Sequence, residues 1–561
     1  MKNTSIAEHF DLLAKLMEIH GENSFRSKSY ANAAFQIERL PHELTEIERN
    51  EWSGLRGIGP NIATKVDELI ATGHLKVLDD YMSNTPDGVV EMLQIKGLGP
   101  KKIHTVWKEM EIETIGELLY ACNENRLVLY KGFGEKTQIN VRDAIIFMMG
   151  QQGKFLYQQA EPFAESYARQ IQEGFQDKVS GLTGEMRRRE DIISQIDFLI
   201  CLPVEDMREK MSAIGYDSQQ QDSMLLFPVQ NAPTLALHSC SPENAGSRLL
   251  ETTGNKIFLD WISRKAAISY TQKAFATEKA FFDHAGIPYI QPTQRETAVQ
   301  TEHLNKYAHV VLADPSNVKA IIHCHSQWSD GSNSLEDMAM AAKERGFEYM
   351  VISDHSKSAF YAGGQNHERI LQQHEEVNTL NRKLTPFKVF KSIECDILSN
   401  GQLDYEDDIL GSFDLIIASV HSSLKMSEEK AMQRLITAIE NPYTIILGHM
   451  TGRLLLSRSG YPVDHKKIID ACAANKVVIE LNAHPRRLDI DWRWIPYALE
   501  KEVLISINPE AHRIDGFSDI RYGCIAAQKA LLPAASNLSS FTLIQFEEWL
   551  LKLRFEKGTL S

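Results

Sequence analysis

The sequence predicts a multidomain α/β protein: a helical amino-terminal region, a mixed α/β middle and a carboxy-terminal distorted (β/α)7 barrel. Three observations predict it. Seven short runs rich in Ile and Val recur from Lys319 onward, most of them followed by a helical pattern. Three copies of a hydrophobic–x–Gly–hydrophobic–Gly loop punctuate the first 150 residues. At 561 residues the chain is also too long for one core, so several domains are expected.

The amino-terminal region reads as helices joined by LRGIGPNIATKV from Leu55, IKGLGPKKIHTV from Ile95 and YKGFGEKTQINV from Tyr130. Each loop runs into a helical pattern, which makes the set an internal repeat of helix–hairpin–helix type. The pairs Gly57 and Gly59, Gly97 and Gly99, and Gly132 and Gly134 let the turn form. They also bring backbone N–H groups toward a phosphate at a helix N-terminus. Lys101, Lys102 and Lys136 add positive charge there. One such loop signals only a tight turn, but three in succession predict contact with a DNA backbone.

The middle changes character. QIDFLICLP (Gln195–Pro203) and PTLALHSCSP (Pro233–Pro242) read as strands, the second followed by the helical NAGSRLLETTGN. Residues from about 297 to 318 are polar and irregular and read as a linker.

From Lys319 the apolar runs are KAIIHCH, YMVISDH, VFKSIE, DLIIASVH, YTIILGH, VVIELNAH and VLISINPEAH. Runs of this length and composition are buried strands. Helical patterns such as Leu335–Phe347, Glu429–Glu440 and His465–Lys476 alternate with them. That alternation gives a parallel sheet, and its regularity a closed or nearly closed barrel. Nearly every run ends in a residue type that binds metal, at the carboxyl ends of the strands, where such barrels place their chemistry.

Composition excludes some classes. No apolar stretch reaches the roughly 20 residues a membrane helix needs. The start, MKNTSIAEHFDLLAKL, reads as an amphipathic helix with acidic residues and not as a signal peptide. The seven Cys show no paired CxxC spacing, so disulfides and zinc ribbons are not expected and a reducing cytoplasm is. A net charge of −15 argues against a general polyanion binder, so any DNA contact must be local or made by backbone donors.

The order of these parts resembles a bacterial family X DNA polymerase fused to a polymerase-and-histidinol-phosphatase (PHP) domain. The resemblance spans essentially the whole chain. It rests on HAGIPYIQPTQRE from His284, HCHSQWSDG from His323, SDHSKS from Ser353, ASVHSS from Ala418, GHMTGRLLLSRSGY from Gly448 and ELNAHPRRLDID from Glu480. It implies a lyase-like helical domain with the first hairpin over residues 1–85, and fingers with the other two over 86–150. A polymerase-β-like palm over 151–260, a thumb over 261–300, a linker over 301–318 and the PHP barrel over 319–561 follow.

The palm departs from the family pattern. Where the family resembles Gly-Ser-x-Arg-Arg, this chain has Gly184-Glu185-Met186-Arg187-Arg188. The Asp-x-Asp pair has become Gln195-Ile196-Asp197, the third Asp falls at Ala236, and the sugar-pocket stretch is Glu251-Thr252-Thr253-Gly254-Asn255. Nucleotidyl transfer needs clustered carboxylates for two magnesium ions. The expectation is therefore a palm that no longer extends primers.

In the barrel the resemblance implies nine metal ligands: His323, His325, Asp330, His355, Glu394, His421, His449, Glu510 and His512. Period-two alternation should point His323 and His325 the same way, with Cys324 directed into the wall. The family's last pair is usually Asp-x-His, and Glu510 here keeps the charge with one more methylene. Imidazole and carboxylate together suit manganese first, with zinc or iron also compatible, and nine positions can hold two or three divalent metals. His367, His374, His465 and His484 are left to structural roles. Arg453 and Arg458 are candidates to clamp a phosphate, with a salt-bridged barrel rim as the equal alternative.

The leading expectation is a DNA-binding, metal-dependent phosphodiesterase. The resemblance supplies the 3′→5′ exonuclease direction and a place in DNA repair. The expected partner is DNA at 3′ ends or in gapped or damaged duplex, with no membrane and with the protein a monomer. A small-molecule phosphatase of the histidinol-phosphate kind and a non-catalytic DNA scaffold are the alternatives. The residues leave open abasic-site cleavage and whether Lys28 forms a Schiff base.

Overall fold

The computed structural model describes all residues except 39, 41, 96, 151–152, 268–272, 298–308 and 560–561. Much of the expected linker therefore lies outside the described residues. The chain divides into two compact units, Met1–Ile146 and Phe147–Ser561.

In the first unit the helix Asn3–Ile19 buries Ile6, Phe10, Leu13 and Met17, one apolar stripe at helical spacing, and packs on the helix Ser24–Glu38. The three glycine loops share one geometry. Gly57, Gly97 and Gly132 take φ of 82°, 91° and 95°, a left-handed turn that a side chain resists. The apolar residue that follows each, Ile58, Leu98 or Phe133, is buried and anchors the turn. Gly59 and Gly99 then cap helices that begin with Pro60 and Pro100, and the third helix begins at Glu135. Proline suits that first helical position because its missing N–H would have no partner there.

The second unit opens with the helix Tyr157–Phe175, whose Ala160, Ala164, Tyr167 and Ile171 pack with a five-stranded sheet. The strands of that sheet lie in the order Val179–Thr183, Gln195–Ile200, Thr234–Ser239, Met224–Phe227, Gln219–Gln221. The helices Lys256–Ala266 and Glu278–Ala285 follow and bury Phe258, Phe281 and Phe282 in a small cluster of their own.

The barrel strands are Ala320–Cys324, Tyr349–Ile352, Lys388–Asp396, Leu415–Ser419, Thr444–Leu447, Val478–Asn482 and Ile505–Asn508. They are all parallel and lie side by side in chain order. A bridge between Cys324 and Ala511 brings the seventh strand's end back to the first, and the N–H of His325 donates to the Ala511 carbonyl at 2.9 Å. Alternate residues divide between two layers. Ile321, Met350, Ile416 and Ile479 pack outward on helices through Met338, Val377, Leu435 and Ile468. Ala320, Ile322, Tyr349, Val351, Ile417 and Val478 form an inner layer with Phe546 and Leu550 of the last helix, Leu543–Glu556. Apolar on both faces, these strands read as continuous runs, as buried parallel strands do.

Candidate metal centre

The first barrel strand breaks its own alternation. Its register against the second strand shifts between Ile322 and Cys324, and the residue between them, His323, has φ of 62°. This is a β-bulge, and it is what lets His323 and His325 share one side with Cys324 in the wall. Ala320 and Ile322 belong to the inner layer, so uninterrupted alternation would send Cys324 inward and both histidines outward. The bulge reverses the parity. Cys324 joins the outer layer beside Ile321, and the rings of His323 and His325 lie 5.4 Å apart within the ligand cluster. Glu510, first residue of the other pair, also has positive φ, at 48°.

All nine positions meet at one end of the barrel. Side-chain atoms of His325, Asp330, His355 and His512 lie within 4.8 Å of one another, as do those of His323, His325, Glu394 and Glu510, and those of His355, Glu394 and His421. Glu394 is the hub. Its Oε1 is 3.3 Å from His323 Nε2, 3.0 Å from His421 Nε2 and 2.9 Å from His449 Nε2, and its Oε2 is 3.1 Å from His355 Nδ1. Asp330 serves the other side, 3.3 Å from His512 Nε2 and 3.5 Å from His355 Nε2.

A metal fits this arrangement. His323 Nε2, both ring nitrogens of His325, His355 Nδ1, Asp330 Oδ2 and Glu394 Oε2 are buried yet make no hydrogen bond of normal geometry. Buried polar atoms are ordinarily satisfied, and a convergent set that is not points to a bound ion. The cluster's charges answer one another: burial would lower His323 and His421, but Glu480 and Glu394 hold His323 well above an ordinary imidazole, and Glu394 and Asp396 raise His421 to about 10. Burial alone would raise Glu394, but His421, His323 and His355 hold it well below the usual carboxylate range. Burial, then the neighbouring His512 and His355, keep His325 well below an ordinary imidazole, which leaves its ring neutral as a metal requires.

Residues the sequence reading passed over hold these side chains in place. Glu480, fully buried, accepts from His323 Nδ1 at 2.5 Å, from the backbone N–H of His449 at 2.7 Å and from Asn508 Nδ2 at 2.9 Å. It thereby leaves His323 Nε2 to face Glu394. Asp396 takes the Nδ1 side of His421 in the same way. A carboxylate behind a ligating imidazole fixes its tautomer and orientation. Glu480 lies in the quoted phrase ELNAHPRRLDID, and its inward parity with Val478 was the one signal available.

Glu510 is more constrained than expected. Its Oε2 lies 2.9 Å from Arg487 Nε and 2.5 Å from Asn482 Nδ2, and its Oε1 is 4.0 Å from His449 Nε2. Of the two roles expected of Arg453, phosphate clamp or salt-bridged rim, its contacts are those of the rim. Its guanidinium bonds Asp491 at 2.7 Å and the carbonyls of Arg487 and Leu488, so it braces the barrel rim. Arg458 donates from Nε to the Gly452 carbonyl at 2.8 Å. His484 accepts from the N–H of Arg486 within its own loop, His374 packs on Phe413, and His465 stacks on Trp494.

In the five-stranded sheet Asp197 pairs directly opposite Ala236, and Gln195 lies two residues earlier on the same face. Asp197 Oδ1 is 2.5 Å from Gln195 Nε2 and 2.8 Å from His238 Nε2. Glu185 accepts from the Ser194 backbone at 2.6 Å and from its hydroxyl at 3.0 Å, and burial raises its carboxyl. Arg187 reaches Glu278 at 2.7 Å and Thr253 at 2.6 Å, and Arg295 joins the same carboxylate.

The amino-terminal residues 1–75 match the family described as "Helix-hairpin-helix domain", and residues 322–484 match "PHP domain". Over 98% of its length the chain is 30% identical to "DNA polymerase/3'-5' exonuclease PolX" of Bacillus subtilis, of which the match covers 99%. Shorter stretches of the chain resemble proteins named "Probable phosphatase". One from Caldicellulosiruptor bescii is 29% identical over 28% of this chain and 63% of its own. One from Clostridium acetobutylicum is 35% identical over 19% of this chain and 42% of its own. Helix–hairpin–helix region, mixed α/β middle and PHP barrel thus occur in the order and over the length of the Bacillus protein, and the chain belongs to the family X DNA polymerases of the PolX type, with a carboxy-terminal PHP domain.

Proposed function

We propose that this protein is a DNA-binding, metal-dependent phosphoesterase, a 3′→5′ exonuclease of DNA repair that has lost nucleotidyl transfer. The observation that carries the hydrolytic reading is the buried cluster around Glu394, with imidazole and carboxylate atoms converging and unsatisfied. Divalent metals, manganese for preference, would be held by the nine named residues. When bound they supply a hydroxide near neutral pH and neutralise phosphate charge. The chain's own part is to orient: Glu480 and Asp396 aim His323 and His421, and Asn482 and Arg487 hold Glu510. The 3′→5′ direction rests on the name of the Bacillus relative.

The three hairpin loops favour DNA over a small phosphoester, although the relatives named as phosphatases keep that second reading in play. Loss of polymerase activity is supported by the palm, where Asp197 faces Ala236 and Gln195 in place of two further carboxylates. Glu185, Asp197 and Arg187 are each engaged by neighbouring protein groups. The domain limits given above, a monomeric state and a cytoplasmic location belong to the same proposal. Among the described residues no helix is long and apolar enough to cross a membrane.

One set of assays tests it: release of nucleotides from 3′-recessed duplex with manganese, hydrolysis of a phosphomonoester, and primer extension with magnesium or manganese. The expected result is nuclease activity that far exceeds the phosphomonoesterase, with no extension. Template-dependent extension would refute the lost palm. A phosphomonoesterase without nuclease would favour the small-molecule reading.

A further inference from the structure

Cys201 and Cys240 stand side by side where two parallel strands end. Strands Gln195–Ile200 and Thr234–Ser239 pair in register, with Ile200 opposite Ser239. The next residue on each is the cysteine. The backbone N–H of Cys240 donates to the Ile200 carbonyl at 3.0 Å and keeps the two ends level. The sulfurs are 3.0 Å apart, close for atoms that are not bonded. Paired strands run about 4.8 Å apart. That spacing lies inside the roughly 4.4–6.8 Å between Cα atoms that a disulfide spans. A bond can therefore form by side-chain rotation, without moving the backbone.

The two thiols differ in access. Cys240 is buried with Leu199 and Ala245, and burial pushes its thiol up, so it resists ionisation. Cys201 is half-buried, and its sulfur lies 3.8 Å from the Ser180 hydroxyl. Beside them opens a cavity of about 720 Å³ lined by Ser180, Ala245 and Leu249. Cys201 is thus the more accessible of the two. This is the arrangement of an attacking and a resolving cysteine. The other five cysteines, Cys122, Cys324, Cys395, Cys472 and Cys524, are buried.

We propose that Cys201 and Cys240 are a redox-active pair that a hydroperoxide converts to a disulfide stapling two neighbouring strands of the five-stranded sheet. The Cys201 thiolate attacks one peroxide oxygen, and the O–O bond breaks. The leaving oxygen takes the thiol's proton, as water from hydrogen peroxide, and Cys201 becomes a sulfenic acid. The Cys240 sulfur then attacks the Cys201 sulfur, the S–O bond breaks, and hydroxide leaves with the Cys240 proton as a second water. Two thiols are oxidised and one peroxide reduced. In a reducing compartment cellular thiols return the pair, so the bond would be transient.

The test treats the full-length protein with hydrogen peroxide, alkylates the remaining thiols in denaturant and maps the peptides by mass spectrometry. Free thiols should fall from seven to five, with one intramolecular cross-link joining the Cys201 and Cys240 peptides and reversed by dithiothreitol. Cys240→Ser should stop at a sulfenic acid on Cys201 that dimedone labels. Seven persistent thiols under excess peroxide would overturn the proposal, as would a cross-link between two molecules or loss of other cysteines first. The wild-type map decides the matter alone should either serine variant fold poorly.

Discussion

Replacing Glu480 by Gln is the sharpest perturbation of the barrel centre, because it changes charge and one donor set while keeping volume. The carboxylate accepts from His323 Nδ1 at 2.5 Å and from the His449 backbone N–H at 2.7 Å, through different oxygens. An amide has one oxygen. If it accepts from His323, its NH2 group meets the His449 N–H, donor against donor. If it turns over, His323 loses its acceptor and its ring is free to rotate away from Glu394. Either way one element carrying a proposed ligand must move. Loss of such a supporting partner typically costs about 10–100-fold in metal affinity. That is about 1.4–2.7 kcal/mol, at about 1.36 kcal/mol for each factor of ten. The assay is metal content by elemental analysis after dialysis against graded chelator, with nuclease rate measured on the same samples. The expected outcome is a weakened but not abolished site, with the rate partly restored by excess manganese. His484→Ala, on a loop histidine, should change neither quantity. Wild-type affinity in Glu480→Gln would refute the claim that this carboxylate orients His323.

Three further outcomes are expected. Gly99→Val should weaken duplex DNA binding severalfold without unfolding the chain, since Gly99 has an ordinary φ of −83° and a Cβ there meets nothing within 4 Å; unchanged binding by fluorescence anisotropy would place DNA elsewhere. Glu510→Gln should lose metal and most activity while Glu510→Asp stays active, and a fully loaded Gln variant would show that Glu510 serves Arg487 and Asn482 and not a metal. Glu278, almost wholly buried, would be raised by burial, but Arg187 and Arg295 hold it at about 2 instead of the usual 4.5. Because its folded value is depressed, the stabilisation is full above pH 4.5 and lost as pH falls through 2. It amounts to roughly 3 kcal/mol, from about 1.36 kcal/mol per unit. Urea unfolding followed from pH 6 to pH 2 should show that loss, and Glu278→Gln should be destabilised at pH 7, where two guanidinium groups lose their shared carboxylate.

Much of this architecture was legible because burial writes itself into composition. Strands apolar on both faces give unbroken Ile and Val runs, and the hairpin turns demand glycine where φ is positive. The third palm position could be counted to Ala236 because strand register follows chain spacing. What stayed hidden depends on contacts between residues far apart. Glu480 meets His323 across 157 positions, and Arg453 finds Asp491 and two carbonyls that no local pattern announces. The bulge at His323 is the more instructive case. Alternation carried on from Ala320 would turn both histidines toward the helical layer, among Met338 and Ala342, and Cys324 toward the carboxylates. Each placement would be costly: imidazoles without partners in an apolar layer, and a thiol beside Glu394. A single left-handed residue costs on the order of 1–3 kcal/mol. In the bulged strand both imidazoles join the carboxylate cluster, where His323 gains Glu480 and a bound metal would take the remaining nitrogens, a gain that outweighs this cost. The chemistry of the side chains, and not the strand's own preference, sets the parity at this end of the barrel.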